Sequence, residues 1–270
     1  MKDTTNFFKK FITSIYDLKV FSKYAKEGFF RSIIYALLIS IIFGGIKGIA
    51  IGYKLNKEIS NIVNELKSDK YGFSIDNGIL NINKSPIKFE EEKSLIYIDK
   101  EKTIDEDEQL KNITVHQDLN ILVLKDGIVV NNPVNKFKIS YINMFKDQNV
   151  DSYLLSQEVK FFQIMIVLFS YIFIIVIELF DLLINCLIVA AFASLISIFM
   201  KMVVKYSALY SIILYASTLP LMIQTILEVL NPNVNLDTVF IVGTLTYTIL
   251  ILRYIKIDII ENMNKGKLNK

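Results

Sequence analysis

Two carboxylates, Glu178 and Asp181, interrupt an otherwise apolar stretch from 161 to 200. Three residues apart on a helix, they share one face. Ionisable groups inside a bilayer are expensive, so they mark ion paths or buried pairs. At a turn or at the membrane–water boundary the same two residues carry no such message. A second group of interest is the segment 215–220, Tyr-Ala-Ser-Thr-Leu-Pro. Pro220 has no N–H to give, which predicts a kinked helix and a freed carbonyl near Ala216. The hydroxyls of Ser217 and Thr218 are the expected partners for that carbonyl. A third group is Gly44, Gly48 and Gly52, spaced by four residues. Such a face lets two helices approach closely, although glycine is also tolerated in a lipid-facing turn. Lys47, in the same stretch, is expected to snorkel outward on its long stem.

Enzyme chemistry finds no foothold in the remaining residues. His116 and Cys186 are the single members of their types, and Cys186 lies in an apolar run. They exclude a disulfide framework within one chain and a histidine-rich metal site, and their expected places in different compartments exclude a Cys–His pair. The acidic runs 90–92 and 105–108 lack the spacing and central Gly of a calcium loop, and read as solvated loops. No phosphate-binding loop, dinucleotide fingerprint, zinc-protease helix or nucleophile elbow is present. The residues 112–114, Asn-Ile-Thr, form a formal glycosylation sequon, which carries no message if the source is bacterial. The expectation is a non-enzyme with no catalytic, cofactor-binding or metal-binding residues. A net charge of +3 gives no argument for nucleic acid.

The elements that must position these residues follow from hydropathy. The chain of 270 residues is 53% hydrophobic, and that fraction is concentrated in blocks, which selects the membrane class. Residues 1–28 carry a basic amphipathic helix with Phe7, Phe8, Phe11, Ile12, Ile15, Leu18 and Phe21 on one stripe. It suits the membrane interface, with lysines toward anionic head groups. The alternative is a helix packed on the protein's own bundle. Residues 29–53 form the first transmembrane helix. Residues 54–158 contain no membrane-length apolar run. They begin as a polar helical stalk, 54–70, with Leu55, Ile59, Ile62, Val63 and Leu66 on a stripe. From Tyr71 they turn into short β-like runs. Asn77-Gly78 and Asp126-Gly127 each separate two apolar runs and suit type I′ hairpins. Further strands are expected at 87–89, 95–98 and 137–141. Residues 159–256 are a transmembrane helical bundle, with 231–237 as a turn, and 257–270 a polar tail.

Charge sets the expected orientation. Basic residues prevail before the first span, at Lys201 and Lys205, and from Arg253 onward, while acids outnumber lysines between 54 and 160. The positive-inside rule then puts both termini in the cytosol and residues 54–158 outside. These votes agree if 161–200 crosses once, giving four spans. That block would have to be long and kinked, or lie partly outside the bilayer. A five-span arrangement with a cytosolic turn at residues 178–181 is the rival. The fold class expected is an α-helical polytopic membrane protein with a small extracytoplasmic β-rich domain inserted after the first span.

The order of features, from Phe-Phe-Arg-Ser-Ile-Ile at 29–34 through the Ile-Leu-Val-Leu-Lys-Asp-Gly-Ile-Val-Val hairpin at 121–130 to the 215–220 segment, resembles a known family. It is a bacterial membrane family of unknown function found in Firmicutes, YvdJ-like and sometimes labelled maltodextrin utilisation protein. The Tyr-Ala-Ser-Thr-Leu-Pro segment resembles that family's Tyr-Ala-x-Thr-x-Pro stretch. It resembles more loosely a proline-containing helix of Yip-type membrane proteins. The resemblance implies gene neighbourhood with sugar uptake and supplies no catalytic residues. Tyr215, Thr218 and Pro220 therefore join Glu178 and Asp181 as candidate residues. The expected role is a non-enzymatic accessory protein whose outer domain senses or docks a partner or envelope ligand and couples it to a membrane partner. A transporter or ion-conducting subunit using the intramembrane acids is the alternative. Expected partners are the lipid bilayer and a membrane protein or a second copy.

Overall fold

Apolar side chains repeat every three to four residues along the membrane-length blocks, and each block folds as a helix. The computed structural model describes residues 6–68, 72–90, 94–106, 119–132, 134–145, 148–231, 234 and 236–268. The chain divides into two compact units. One comprises Met1–Lys54 with Val167–Lys270, the other Leu55–Ile166. His116 and the sequon at 112–114 lie outside the described residues, as do 91, 92, 107 and 108 of the acidic runs.

The first unit is helical. Helix α1 (Phe7–Tyr16) leads through a 3₁₀ turn (Leu18–Val20) to α2 (Phe21–Tyr24) and then α3 (Phe29–Lys67). After the strands come α5 (Ser152–Phe199), α6 (Tyr206–Ala216), α7 (Thr218–Leu230) and α8 (Asp237–Leu268). Three of these helices are long and apolar enough to cross a membrane, and the pair α6–α7, bent by 42°, makes a fourth if counted as one span. On α3 the stripe Tyr35, Ala36, Ile39 and Phe43 is buried, while Ile34, Leu37 and Ile41 stay exposed. On α5, Phe169, Phe173, Phe180, Phe192 and Phe199 point out of the core. An apolar surface of this extent suits lipid and is a liability in water.

Helix α5 runs through Glu178 and Asp181 without a break, so the turn required by the five-span arrangement does not exist. With 48 residues it is about 72 Å long, more than twice the hydrocarbon thickness. Helix α3 continues across 53/54 from apolar to polar sequence as one helix, so the stalk is a direct extension of the first apolar stretch. The amphipathic α1 turns part of its stripe onto the protein itself. The Phe7 ring lies 5.7 Å from Tyr35 and Phe11 lies 6.0 Å from Phe43, while Phe8, Ile12 and Tyr16 remain exposed.

The second unit carries the strands. The three-stranded sheet has the order β2 (Ile79–Asn81), β1 (Ser74–Asp76), β8 (Val150–Asp151), all antiparallel. The five-stranded sheet runs β3 (Ile87–Glu90), β4 (Ser94–Asp99), β5 (Leu119–Leu124), β6 (Gly127–Asn131), β7 (Lys136–Ser140), with β4 and β5 parallel. Alternation along β5 sends Leu122 and Leu124 to a core with Leu95, Tyr97 and Val129. Val123 faces the other way, toward Ile75, Leu80 and Tyr141 at the start of the short helix α4 (Tyr141–Phe145). The stalk packs within this unit, where Gln163 Nε2 donates to Asn56 Oδ1 at 2.7 Å and to Ser60 Oγ at 2.9 Å. Ile62, expected on the inward stripe, is exposed, while Val63 is buried.

Asn77 and Gly78 take φ of 50° and 75°, the paired positive values of a type I′ turn between β1 and β2. The second hairpin departs from expectation. Leu124 and Gly127 end the two strands, so Lys125 and Asp126 make the turn, and neither Asp126 nor Gly127 has positive φ. The turn is held from outside instead. Leu80 N donates to Lys125 O, Lys125 N to Lys102 O, and Tyr141 N to Asp126 O, at 2.7 to 3.0 Å.

Candidate functional site

Lys47 occupies a position on α3 that a lipid-facing lysine could leave only by snorkelling. Its side chain turns inward and is 13% exposed. Nζ donates to Glu178 Oε2 at 2.8 Å and lies 2.7 Å from Glu228 Oε2. The outward snorkel expected for Lys47 is thus corrected: two carboxylates from α5 and α7 offer a better solvent for the ammonium than a distant interface. Gln224 extends the network, its Nε2 donating to Glu228 Oε1 at 2.7 Å and to Asp237 Oδ1 at 3.2 Å. These groups line a cavity of about 220 Å³, to which Asp181 and Asn185 also contribute.

Helix packing brings the lysine there. Gly44 of α3 lies against Ile175 and Glu178 of α5, where an added Cβ would stand 3.0 Å from the Ile175 Cα. At Gly48 a Cβ would meet the Tyr171 ring at 2.8 Å, and at Gly52 it would meet Val167 Cγ1 at 3.5 Å. The three glycines therefore mark the line along which α3 and α5 touch. Close approach of the two backbones puts Lys47 within reach of Glu178.

Depth along the helices is consistent among the members. Lys47 stands about 27 Å from Phe29, Glu178 about 32 Å from Phe199, and Asp237 about 24 Å from Arg253, at 1.5 Å per residue. That is close to one hydrocarbon thickness from the level marked by Arg31, Lys201, Lys205 and Arg253. The cluster therefore belongs to one end of the apolar bundle. Chemically it offers one ammonium among four carboxylates. Among the described residues no group of three or more Asp, Glu, His or Cys is arranged to hold a metal ion.

Tyr215, Thr218 and Pro220 form part of a different cluster, at the break between α6 and α7. The chain bends at Ser217, where Ser217 Oγ donates to Leu214 O at 2.9 Å and Thr218 Oγ1 to Tyr215 O at 2.8 Å. The hydroxyls thus serve the carbonyls of Leu214 and Tyr215, not that of Ala216. Pro220 falls in the first turn of α7, where its missing N–H costs little, and it packs near Gly243 of α8. The Tyr35 and Thr218 hydroxyls are 2.6 Å apart, and the Tyr35 and Tyr24 rings lie tilted against Tyr215 with centres 4.5 and 4.6 Å away. Lys10 reaches in from α1 to pair with Glu27, and its ammonium lies 5.6 Å from the Tyr215 ring centre. Tyr215 OH donates to the same Glu27 carboxylate at 3.3 Å.

A family model described as a protein of unknown function, DUF1189, matches residues 8–252. The chain belongs to this family. No curated protein and no solved structure matches it. The part of the chain that matches DUF1189 contains both clusters, from Lys10 to Asp237, and all the described strands. Of the residues singled out from sequence, Glu178 and Asp181 share the lysine cavity with Lys47, while Tyr215, Thr218 and Pro220 gather at the helix break. Glu228, Asp237 and Gln224 were not foreseen. Their signal was available in outline: Glu228 precedes the 231–237 turn and Asp237 closes it.

Proposed function

We propose that this DUF1189 protein is a non-enzymatic, multi-pass membrane accessory protein. Its N-terminus is cytosolic, residues 54–158 are extracytoplasmic, and the C-terminus returns to the cytosol. The β-bearing unit senses or docks a partner or envelope ligand and couples that state to a membrane partner, such as a sugar-uptake system. One observation carries this reading. Helices α3 and α5 each begin in one unit and end in the other without interruption, and Lys47–Glu178 ties the two together. A helix is stiff along its axis, so a displacement at one end of either reaches the ion pair. Deleting 71–145 is expected to leave membrane insertion intact and to abolish co-purification of a membrane partner. An unchanged set of partners would remove the docking role.

The cavity around Lys47 favours a second reading, a transporter or ion-conducting subunit. Four carboxylates around one ammonium leave a negative interior that attracts cations. On this reading Glu178→Gln or Asp181→Asn abolishes ion flux in vesicles while the protein stays folded. Wild-type flux in both variants would eliminate it.

A further inference from the structure

At the end of the helical unit that carries Arg253 and Lys256, a larger cavity opens between α2, α8 and the connection from α5 to α6. Its volume is about 640 Å³, inside the range of small-molecule sites. The wall is mostly apolar, with Met202, Val204, Ile212, Leu252 and Ile255 among its members. Four polar residues complete it: Ser22, Lys26, Asp258 and Asn262. Lys26 and Asp258 are its only charged members, of opposite sign, and neither has an ion-pair partner among the described residues. Lys26 is exposed and Asp258 half-buried, so both reach the mouth of the cavity. An apolar recess with an unanswered cation and an unanswered anion is complementary to an amphiphile that bears both charges.

We infer that this cavity holds one phospholipid whose head group carries a primary ammonium beside its phosphate. An acyl chain fills the apolar wall. Lys26 takes the phosphate, and Asp258 takes the ammonium by a charge-assisted hydrogen bond. Chemistry separates this occupant from its competitors. A phosphatidylglycerol head group brings a phosphate but leaves Asp258 facing an anion. A phosphatidylcholine head group brings a cation with no N–H to donate. Phosphatidylethanolamine answers both side chains. The inference needs the helical unit to lie in a membrane and is independent of what the β-bearing unit binds.

The test is native mass spectrometry of the full chain released from vesicles of equal parts phosphatidylethanolamine, phosphatidylglycerol and phosphatidylcholine. The wild type is expected to leave with a phosphatidylethanolamine adduct in excess of the other two. Lys26→Ala and Asp258→Ala are each expected to lower that excess roughly tenfold, the scale of one lost charge-assisted contact. Exchanging the charges, Lys26→Asp with Asp258→Lys, restores it, which a merely unfolded pair of single variants could not do. Adducts that mirror the vesicle composition, a predominance of phosphatidylglycerol, or single variants that match the wild type would overturn the assignment.

Discussion

Lys47 holds two carboxylates that come from sequence positions far beyond it, and removing it leaves Glu178 buried, and Glu228 half-buried, without a cation. An uncompensated buried charge costs more than a lost contact. Lys47→Met is therefore expected to destabilise the bundle by about 3–5 kcal/mol, measured as a shift in unfolding in detergent. Glu178→Gln keeps the contact with Glu228 and is expected to cost only about 1 kcal/mol. Equal losses would mean that Glu228 does not share the ammonium. In the β-bearing unit, Tyr141 is fully buried with a hydroxyl that has no partner among the described residues. Burial, and then the Asp126 carboxylate, push its phenol well above the ordinary value of 10.0. Tyr97 is shifted the same way by burial and by its hydrogen bond to Asp99. Such phenols keep their protons in the fold while the unfolded chain releases them. Stability is therefore level below pH 10 and falls as pH rises past it. Tyr141→Phe removes an unsatisfied hydroxyl, so it is expected to be neutral or to stabilise by up to about 1 kcal/mol. It should also flatten the alkaline loss, followed by urea unfolding between about pH 8 and about pH 11. Glu178 and Asp181 were visible in the sequence as anomalies in an apolar run. Their partner was not, because no local pattern joins positions 47 and 178.

Helix α3 meets α5 through glycines, and that contact was legible because small residues every four positions make one smooth face. Its consequences differ by position. A side chain at Gly44 meets the backbone of α5, which cannot step aside, whereas one at Gly52 meets only the tip of Val167 at ordinary contact distance. Gly44→Leu is expected to cost about 1–3 kcal/mol by overpacking, and Gly52→Ala close to nothing, both read from thermal unfolding in detergent. A similar loss at both sites would mean that the helices are not held at the observed separation. The Asn77-Gly78 hairpin was also legible, since its geometry is set within four residues. The turn at Lys125 and Asp126 was not. Its backbone is claimed by Leu80, Lys102 and Tyr141, and those distant hydrogen bonds override the preference of the dipeptide. The break between α6 and α7 lies where Pro220 announced it, but the carbonyls that needed partners belong to Leu214 and Tyr215. Placing Pro220 in the first turn of a new helix, and not in the middle of an old one, moves the orphan groups upstream.

Across the whole chain, hydropathy separated the helical unit from the strands, and the family match covers both. What hydropathy could not decide was how often 161–200 crosses, because a run of that length is compatible with one helix or two. Continuity of α5 through residues 178–181 removes the hairpin. The proposed topology then puts residues before α3 and residues after Phe199 on one side of the membrane and the strands on the other, with the bent α6–α7 pair and α8 returning the C-terminus. This is testable on a Cys186→Ser background, since Cys186 is the only cysteine and is buried. Single cysteines replace Lys9, Glu101 and Lys205, all exposed, and Lys267 near the C-terminus. Intact cells are labelled with an impermeant maleimide. Labelling at Glu101 alone is expected, with the other three reacting only after permeabilisation. Labelling at Glu101 and Lys267 together would mean that α6–α7 does not cross as one span. Lys26 and Asp258 would then fall on opposite faces of the membrane, and the cavity they share could not form in it.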